Sequence, residues 1–281
     1  MERRKFIKTS LTAGFGLGLL GGFYSWKIEP FWLEFNRVKM SIKNLPKQLI
    51  GKTLMQISDL HVGNRFDYNY IIKSLIEAQK YNPDFVVYTG DYVSYESNEQ
   101  IGQLKKVMQH TTHGSMGTFG ILGNHDYGKN WADQEVADTI TEVLKDNRIH
   151  VLSNSKISKN GLNIIGLDDL WALNFNPKKI LSSINNKQAN IVLCHNPDVC
   201  DLDVWGDYSG WILAGHTHGG QFKAPFLDPF IVPVKNKRYT SGEFNLSNER
   251  KLYINRALGH LWQVRFNVRP EITIFELESV F

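Results

Sequence analysis

Cysteine is nearly missing from this chain: Cys194 and Cys200 are the two it has in 281 residues. A disulfide framework is therefore not what holds it together. Cys194 closes an apolar run, where a buried free thiol is the expected state, with pairing to Cys200 left open. An excess of one charge is also missing. The chain carries 32 Lys and Arg against 28 Asp and Glu, for a net +4, and four of the basic residues (Arg3, Arg4, Lys5, Lys8) fall in the first eight positions. The remainder is nearly neutral, which argues against a nucleic-acid-binding surface. Internal repeats and low-complexity tracts are absent as well. With 42% hydrophobic and 21% charged residues, the composition excludes a disordered or fibrous protein and supports a sizeable core.

The first long feature is Thr9 to Trp26, 18 positions without a charge, preceded by Met-Glu-Arg-Arg-Lys-Phe-Ile-Lys. A basic head before an apolar stretch is the layout of an export signal or a membrane anchor. The paired arginines resemble the twin-arginine address read by the export machinery. Five glycines (14, 16, 18, 21 and 22) keep the stretch only weakly hydrophobic, and no small-x-small cleavage site follows. We expect residues 1–30 to be signal or anchor, 31–51 a linker and lead-in, and 52–281 the folded domain. The protein would then sit on the outer face of the cytoplasmic membrane, anchored or exported.

Five short apolar runs follow, each ending in polar residues of one chemical kind. Leu54–Ile57 leads into Ser58-Asp59-Leu60-His61, and Phe85–Tyr88 into Thr89-Gly90-Asp91. Phe119–Leu122 leads into Gly123-Asn124-His125-Asp126, Ile191–Cys194 into His195-Asn196-Pro197-Asp198, and Trp211–Ala214 into Gly215-His216-Thr217-His218. Runs of about four apolar residues bounded by turn formers read as buried strands. Amphipathic stretches at Asn69–Tyr81, Asn98–His110 and Trp131–Asp146 read as helices between them. Alternating strands and helices imply an α/β layered domain, whose ligands gather beyond the carboxyl ends of strands. All five clusters lie at that end. Asp59 and His61 are two residues apart, as are His216 and His218, and on extended backbone each pair would face one centre. Imidazole with carboxylate suits Zn, Mn or Fe. His110, His113, His150 and His260 have no partner at ligand spacing and read as packed or solvated.

These motifs, in this order from about residue 52 to 277, resemble the calcineurin-like metallophosphoesterases. Gly166–Trp171, Cys194–Asp198, Gly215–Gln221 and the end from Asn255 onward are similar to the small bacterial branch of membrane-associated or exported phosphodiesterases. Ala257 stands where that branch usually has glycine, and Tyr92 and Ser94 replace a commoner Leu and Asp. The resemblance implies two mixed β-sheets packed as a sandwich with helices on both outer faces. It also implies two divalent metal ions. Asp59, His61, Asp91 and His218 would hold the first; Asp91, Asn124, His195 and His216 would hold the second, with Asp91 bridging.

Two metals clamp the attacking and leaving oxygens of an in-line phosphoryl displacement and generate a bridging hydroxide at neutral pH. Two such ions against Asp59, Asp91 and that hydroxide leave a surplus of positive charge, which favours an anionic ester. His125 is the motif histidine left uncoordinated, placed to donate a proton, with Asp126 expected to orient its ring. The implied activity is that of a metal-dependent phosphodiesterase on a small or lipid-linked phosphoester. The alternatives are a pyrophosphatase acting on a UDP-linked acylated sugar, and a non-catalytic envelope-binding protein with a structural metal site. The Phe- and Pro-rich segment 222–233 reads as a loop beside the site. It either presents apolar surface to a lipid tail or packs as a lid.

Overall fold

The computed structural model describes residues 2–280, leaving aside the side chains of Glu2, Arg4, residues 11–14 and Leu17. The Arg4 half of the paired arginines thus lies outside the described side chains. Two six-stranded sheets face one another. The first runs β1 (Glu34–Lys43), β12 (Glu271–Val280), β2 (Thr53–Ile57), β3 (Phe85–Thr89), β4 (Gly117–Ile121) and β5 (His150–Val151). The second runs β10 (Gly242–Asn245), β11 (Lys251–Ile254), β9 (Trp211–Ala214), β8 (Ala189–Leu193), β7 (Leu162–Gly166) and β6 (Ser155–Lys159). Both are mixed: β2 to β5 are parallel while β12 runs antiparallel to β2, and β11, β9, β8 and β7 are parallel between antiparallel edges.

The five apolar runs are β2, β3, β4, β8 and β9, buried on both faces as parallel strands require. Leu54, Phe85, Val87 and Phe119 of the first sheet meet Ile164, Ile191, Leu193, Trp211 and Tyr253 of the second, forming the sandwich interior. Each such side chain contributes about 1.5–3 kcal/mol when fully buried. The outer face of the first sheet is covered by α2 (Asn69–Gln79), α3 (Asn98–Met108) and α4 (Gln134–Asp146). Ser97 and Gln100 form a capping box at the start of α3. The third helix begins three residues later than its apolar pattern suggests, because Trp131 is left-handed (φ 57°) and Asp133 caps the chain by accepting from the Val136 amide. A short helix, α5 (Pro177–Leu181), lies against the second sheet. Both cysteines are free and buried.

One expectation about the amino-terminal part needs correction. Residues 31–51 are not a linker: β1 pairs with β12 along ten residues, from Glu34 to Lys43. Its inward positions Met40 and Ile42 join the sandwich core while Lys39 and Lys43 point to solvent. That alternation is the signature of a half-buried strand. The apolar stretch is helical, α1 (Glu2–Phe23), yet among the described residues no helix is long and apolar enough to cross a membrane. Past α1 the chain docks on the globule. The Ser25 carbonyl accepts from the Arg265 amide at 2.9 Å, the Trp26 carbonyl accepts from Gln263 Nε2 at 3.0 Å, and the buried Glu29 carboxylate accepts from the Val268 amide.

Candidate metal centre

The carboxyl ends of β2, β3 and β4 in one sheet open toward those of β8 and β9 in the other. The two sheets are tied there by Gln56, whose amide donates to the Ala214 carbonyl at 2.9 Å and to Thr89 Oγ1 at 3.1 Å. All seven residues expected as metal ligands converge on this junction or line it, and all are buried. Asp59, His61 and His218 offer donor atoms within 4.8 Å of one another, as do Asp91, His195 and His216; a further group joins His61, Asp91 and His125. Asp91 therefore belongs to both sides. Its Oδ2 lies 3.4 Å from His61 Nε2 and 3.1 Å from His195 Nε2. His218 Nε2 stands 3.3 Å from Asp59 Oδ1.

The convergence is not produced by strand alternation, as the i, i+2 spacing suggested. Asp59, His61, Asp91, His216 and His218 are all left-handed, with φ of 53°, 47°, 54°, 70° and 52°. Each such non-glycine residue costs on the order of 1 kcal/mol or more, and such strain persists only where the surroundings over-determine it. Here the exits of β2 and β3 run side by side, the Asp59 amide donating to the Gly90 carbonyl at 2.9 Å and the His61 amide to the Asp91 carbonyl at 3.0 Å. The loop 257–259 closes the other side, with the Gly259 amide donating to the Asp59 carbonyl at 2.8 Å. Ala257 in that loop is itself left-handed (φ 69°), which is why glycine suits the position.

Two glycines let the carboxylates approach the backbone. A Cβ on Gly215 would fall 2.0 Å from Ser58 Oγ and 2.3 Å from Asp59 Oδ2, and one on Gly123 would fall 2.3 Å from Asp91 Oδ1. Gly215→Ala is therefore expected to displace Asp59 and lower metal affinity by about 10–100-fold, the scale of a disturbed ligand support, while the circular dichroism spectrum stays native. Metal titration of the variant checks this; unchanged affinity would contradict the placement of Asp59.

Hydrogen bonds fix which imidazole nitrogens are free. His195 Nδ1 donates to the Thr89 carbonyl at 2.7 Å and His216 Nε2 donates to the Pro233 carbonyl at 2.9 Å, since a carbonyl can only accept. This aims His195 Nε2 and His216 Nδ1 at each other, 3.2 Å apart. On the other side His61 Nδ1 meets Ser94 Oγ at 2.9 Å, and its Nε2 faces His218 Nε2 at 2.9 Å. The opposed lone pairs of His195 Nε2 and His216 Nδ1 need a positive charge between them, and the Nε2 atoms of His61 and His218 stand as close. Asn124 is 1% exposed, yet neither its Oδ1 nor its Nδ2 has a partner among the described residues. A buried amide left so is costly unless something else binds it. The donor set thus fits divalent cations of the Mn, Zn or Fe type.

Protonation tells the same story. Burial raises the Asp59 carboxyl, but the neighbouring His218 and His195 outweigh it and hold it at about 2. Asp91 is likewise held well below its usual range against burial, chiefly by His195 and His125. Burial drives His61 down, and drives His216 down to about 3 with help from His195, so both stay neutral and able to ligate. Burial also opposes a charge on His195, but Asp91 and Asp59 raise it well above the ordinary value. A proton and a metal ion are alternative ways to neutralise that cluster.

His125 sits at the edge of the group, its ring centroid 5.1 Å from that of His61, and its backbone amide donates to Asp91 Oδ1 at 2.9 Å. Asp126 does not orient the His125 ring, contrary to the expectation. Its Oδ1 accepts from the Tyr92 amide at 2.8 Å and the Val93 amide at 3.3 Å, and its Oδ2 from the Gly123 amide at 2.9 Å. Burial and the charge of Asp91 push this carboxyl up to about 8. Asp126 thus braces the loops that carry Asp91 and Asn124 against each other. Sequence reasoning missed the role of Ser94, noted only as a departure from a commoner Asp, and missed Trp131. Trp131 stacks on Trp171 with centroids 5.0 Å apart, and Trp171 packs edge-on against His216 at 4.5 Å. Asp169 Oδ1 holds that loop by accepting from the Trp171 amide at 2.8 Å.

Comparison with known proteins agrees with this geometry. Residues 52–220 match the calcineurin-like phosphoesterase family model. The chain is 30% identical to the uncharacterised metallophosphoesterase YkuE of Bacillus subtilis (strain 168), over 99% of this chain and 98% of that protein. It is 29% identical to the phosphodiesterase YaeI of Escherichia coli (strain K12), over 99% of both. It is 28% identical to the UDP-2,3-diacylglucosamine pyrophosphatase LpxG of Chlamydia trachomatis, over 96% of this chain and 98% of that one. With the family model matched over more than half of its length and a relative 30% identical across nearly the whole of it, the chain belongs to the calcineurin-like phosphoesterases.

Proposed function

We propose that this chain hydrolyses phosphodiesters with two divalent metal ions held by Asp59, His61, Asp91 and His218 on one side and Asp91, Asn124, His195 and His216 on the other. The observation that carries the reading is the pair of opposed imidazole contacts, His61–His218 and His195–His216, with Asp91 within ion-pair distance of a histidine in each. Bound there, the ions would supply the positive charge that attracts a phosphate ester and the Lewis acidity that activates water. The chain's own residues do the rest. The two carboxylates leave the loaded site net positive, which favours an anionic substrate. Second partners, Thr89, Pro233 and Ser94, hold the rings of His195, His216 and His61 in the ligating orientation, so little reorganisation is needed. His125, beside the group but tied to it only through its backbone, is placed to give a proton to the leaving oxygen.

A pyrophosphate bond is broken by the same displacement, and the 28% identity to LpxG, named a UDP-2,3-diacylglucosamine pyrophosphatase, supports it as a second substrate class. A binding protein with a purely structural metal would have no use for His125. Chelated protein assayed on a chromogenic phosphodiester, on the matching monoester and on a nucleoside diphosphate sugar, before and after Mn²⁺ addition, separates these readings. We expect metal-dependent turnover with the diester preferred over the monoester. Turnover on none of the three, with metal confirmed bound, would overturn the enzymatic reading.

A further inference from the structure

We propose that the cavity beside His218 is a subsite for a linear alkyl or acyl chain, so that the favoured substrate is an amphiphilic phosphodiester; this rests on the phosphodiesterase reading above. The cavity has a volume of about 420 Å³ and is lined by His218 of the metal centre and by its neighbour Thr217. Its walls are Phe222, Phe230, Ile231 and Pro233 on one side and Leu261, Trp262 and Val264 on the other. His218 belongs to a donor group and to the cavity lining at once, so an arm of an ester bound at that group would have this space within reach.

Two of the three polar side chains that line it are already used, and the third, His218, leaves one buried nitrogen, Nδ1, without a partner among the described residues. Gln221 Nε2 donates to the Trp262 carbonyl at 2.9 Å and to the Val264 carbonyl at 3.0 Å, and its Oε1 accepts from the Leu261 amide at 2.9 Å. Thr217 Oγ1 donates to the Thr240 carbonyl. A sugar or base placed here would lose several hydrogen bonds to water for at most the one that His218 Nδ1 offers, which selects against polar occupants. A methylene chain has no such loss.

A lid packed on its own core would bury its apolar side chains. Instead Phe226 is fully exposed and Phe230, Ile231 and Trp262 are 75%, 70% and 65% exposed. Exposed apolar side chains clustered at a cavity mouth mark a binding surface. Both walls are nonetheless anchored, as a preformed site requires. The Pro233 carbonyl holds His216, and the 263–266 wall is held by the root of α1 through Ser25 and Trp26.

The test uses p-nitrophenyl phosphodiesters whose second arm is methyl, butyl or octyl, below their aggregation limits, on the metal-loaded full chain. Each buried methylene is worth about fourfold in affinity, so two add about fifteenfold. We expect kcat/KM to rise at least that much from methyl to octyl, mainly through KM. Trp262→Ser combined with Phe230→Ser, both at exposed positions, should remove the rise while leaving the methyl ester unaffected. Calorimetry with octyl phosphate on metal-depleted protein gives a second readout: binding that the double variant loses and that ethyl phosphate does not show. Equal kcat/KM across the three arms, or a rise that survives in the double variant, would overturn the subsite. Were no ester turned over with metal bound, the phosphodiesterase reading would fall, and calorimetry alone would decide the cavity: octyl phosphate binding lost in the variant supports it, no binding overturns it.

Discussion

Asp91→Asn should cut turnover of a phosphodiester by a factor on the order of 10³ or more and reduce bound metal from two ions per chain to one at most. The substitution keeps the shape and the acceptor for the His125 amide at 2.9 Å, so the loop geometry survives while the shared negative charge goes. That charge matters because Asp91 Oδ2 stands 3.1 Å from His195 Nε2 and 3.4 Å from His61 Nε2. No other carboxylate among the described residues belongs to donor groups on both sides. Removing it leaves two cations to repel each other with less anion between them. Metal analysis beside kinetics, with circular dichroism as a check on the fold, reads the outcome. A variant that retains two ions and full activity would show that Asp91 is not the bridge.

His125→Ala should do the opposite to metal and nearly the same to turnover. Metal content should remain at two ions, and kcat should fall by about 10²–10⁴, the usual contribution of general-acid catalysis. The ring lies near the Asp91 carboxylate but hydrogen-bonds no carboxylate among the described residues, and burial, opposed by the charge of Asp91, holds its pKa below the ordinary histidine value. The neutral ring can donate a hydrogen bond to a leaving oxygen from its one N–H, and the minor imidazolium fraction can give that oxygen a proton and return to the neutral ring. The loss should therefore shrink as the leaving group becomes more acidic, because p-nitrophenolate needs no proton and an alkoxide does. Equal losses across leaving groups would assign His125 a merely supporting part. Loss of metal would place it among the ligands.

Much of this site was legible in the sequence because strands announce themselves. β2, β3, β4, β8 and β9 are unbroken apolar runs, and each ends in ligand chemistry. Parallel strands buried on both faces must be apolar throughout, so their ends are sharp. β1 was not legible, since an edge strand with Glu34, Arg37, Lys39 and Lys43 reads as a solvated lead-in until β12, more than 200 residues away, pairs with it. The left-handed backbone at Asp59, His61, Asp91, His216 and His218 also left no trace. Asp and His are among the non-glycine residues that adopt such backbone most readily, but nothing in their spacing separates a left-handed turn from extended chain. The misreading of Asp126 has the same origin. Adjacency to His125 suggested a carboxylate–histidine pair, whereas a 3₁₀ turn at Asn124–Tyr127 points the carboxylate back at three amides.

Anomalous diffraction from crystals of the full chain loaded with Mn²⁺ tests the centre directly. Two peaks should stand inside the junction of the sheets, one against Asp59, His61 and His218 and one against Asn124, His195 and His216, with Asp91 reaching both. A single peak, or peaks away from these side chains, would contradict the account.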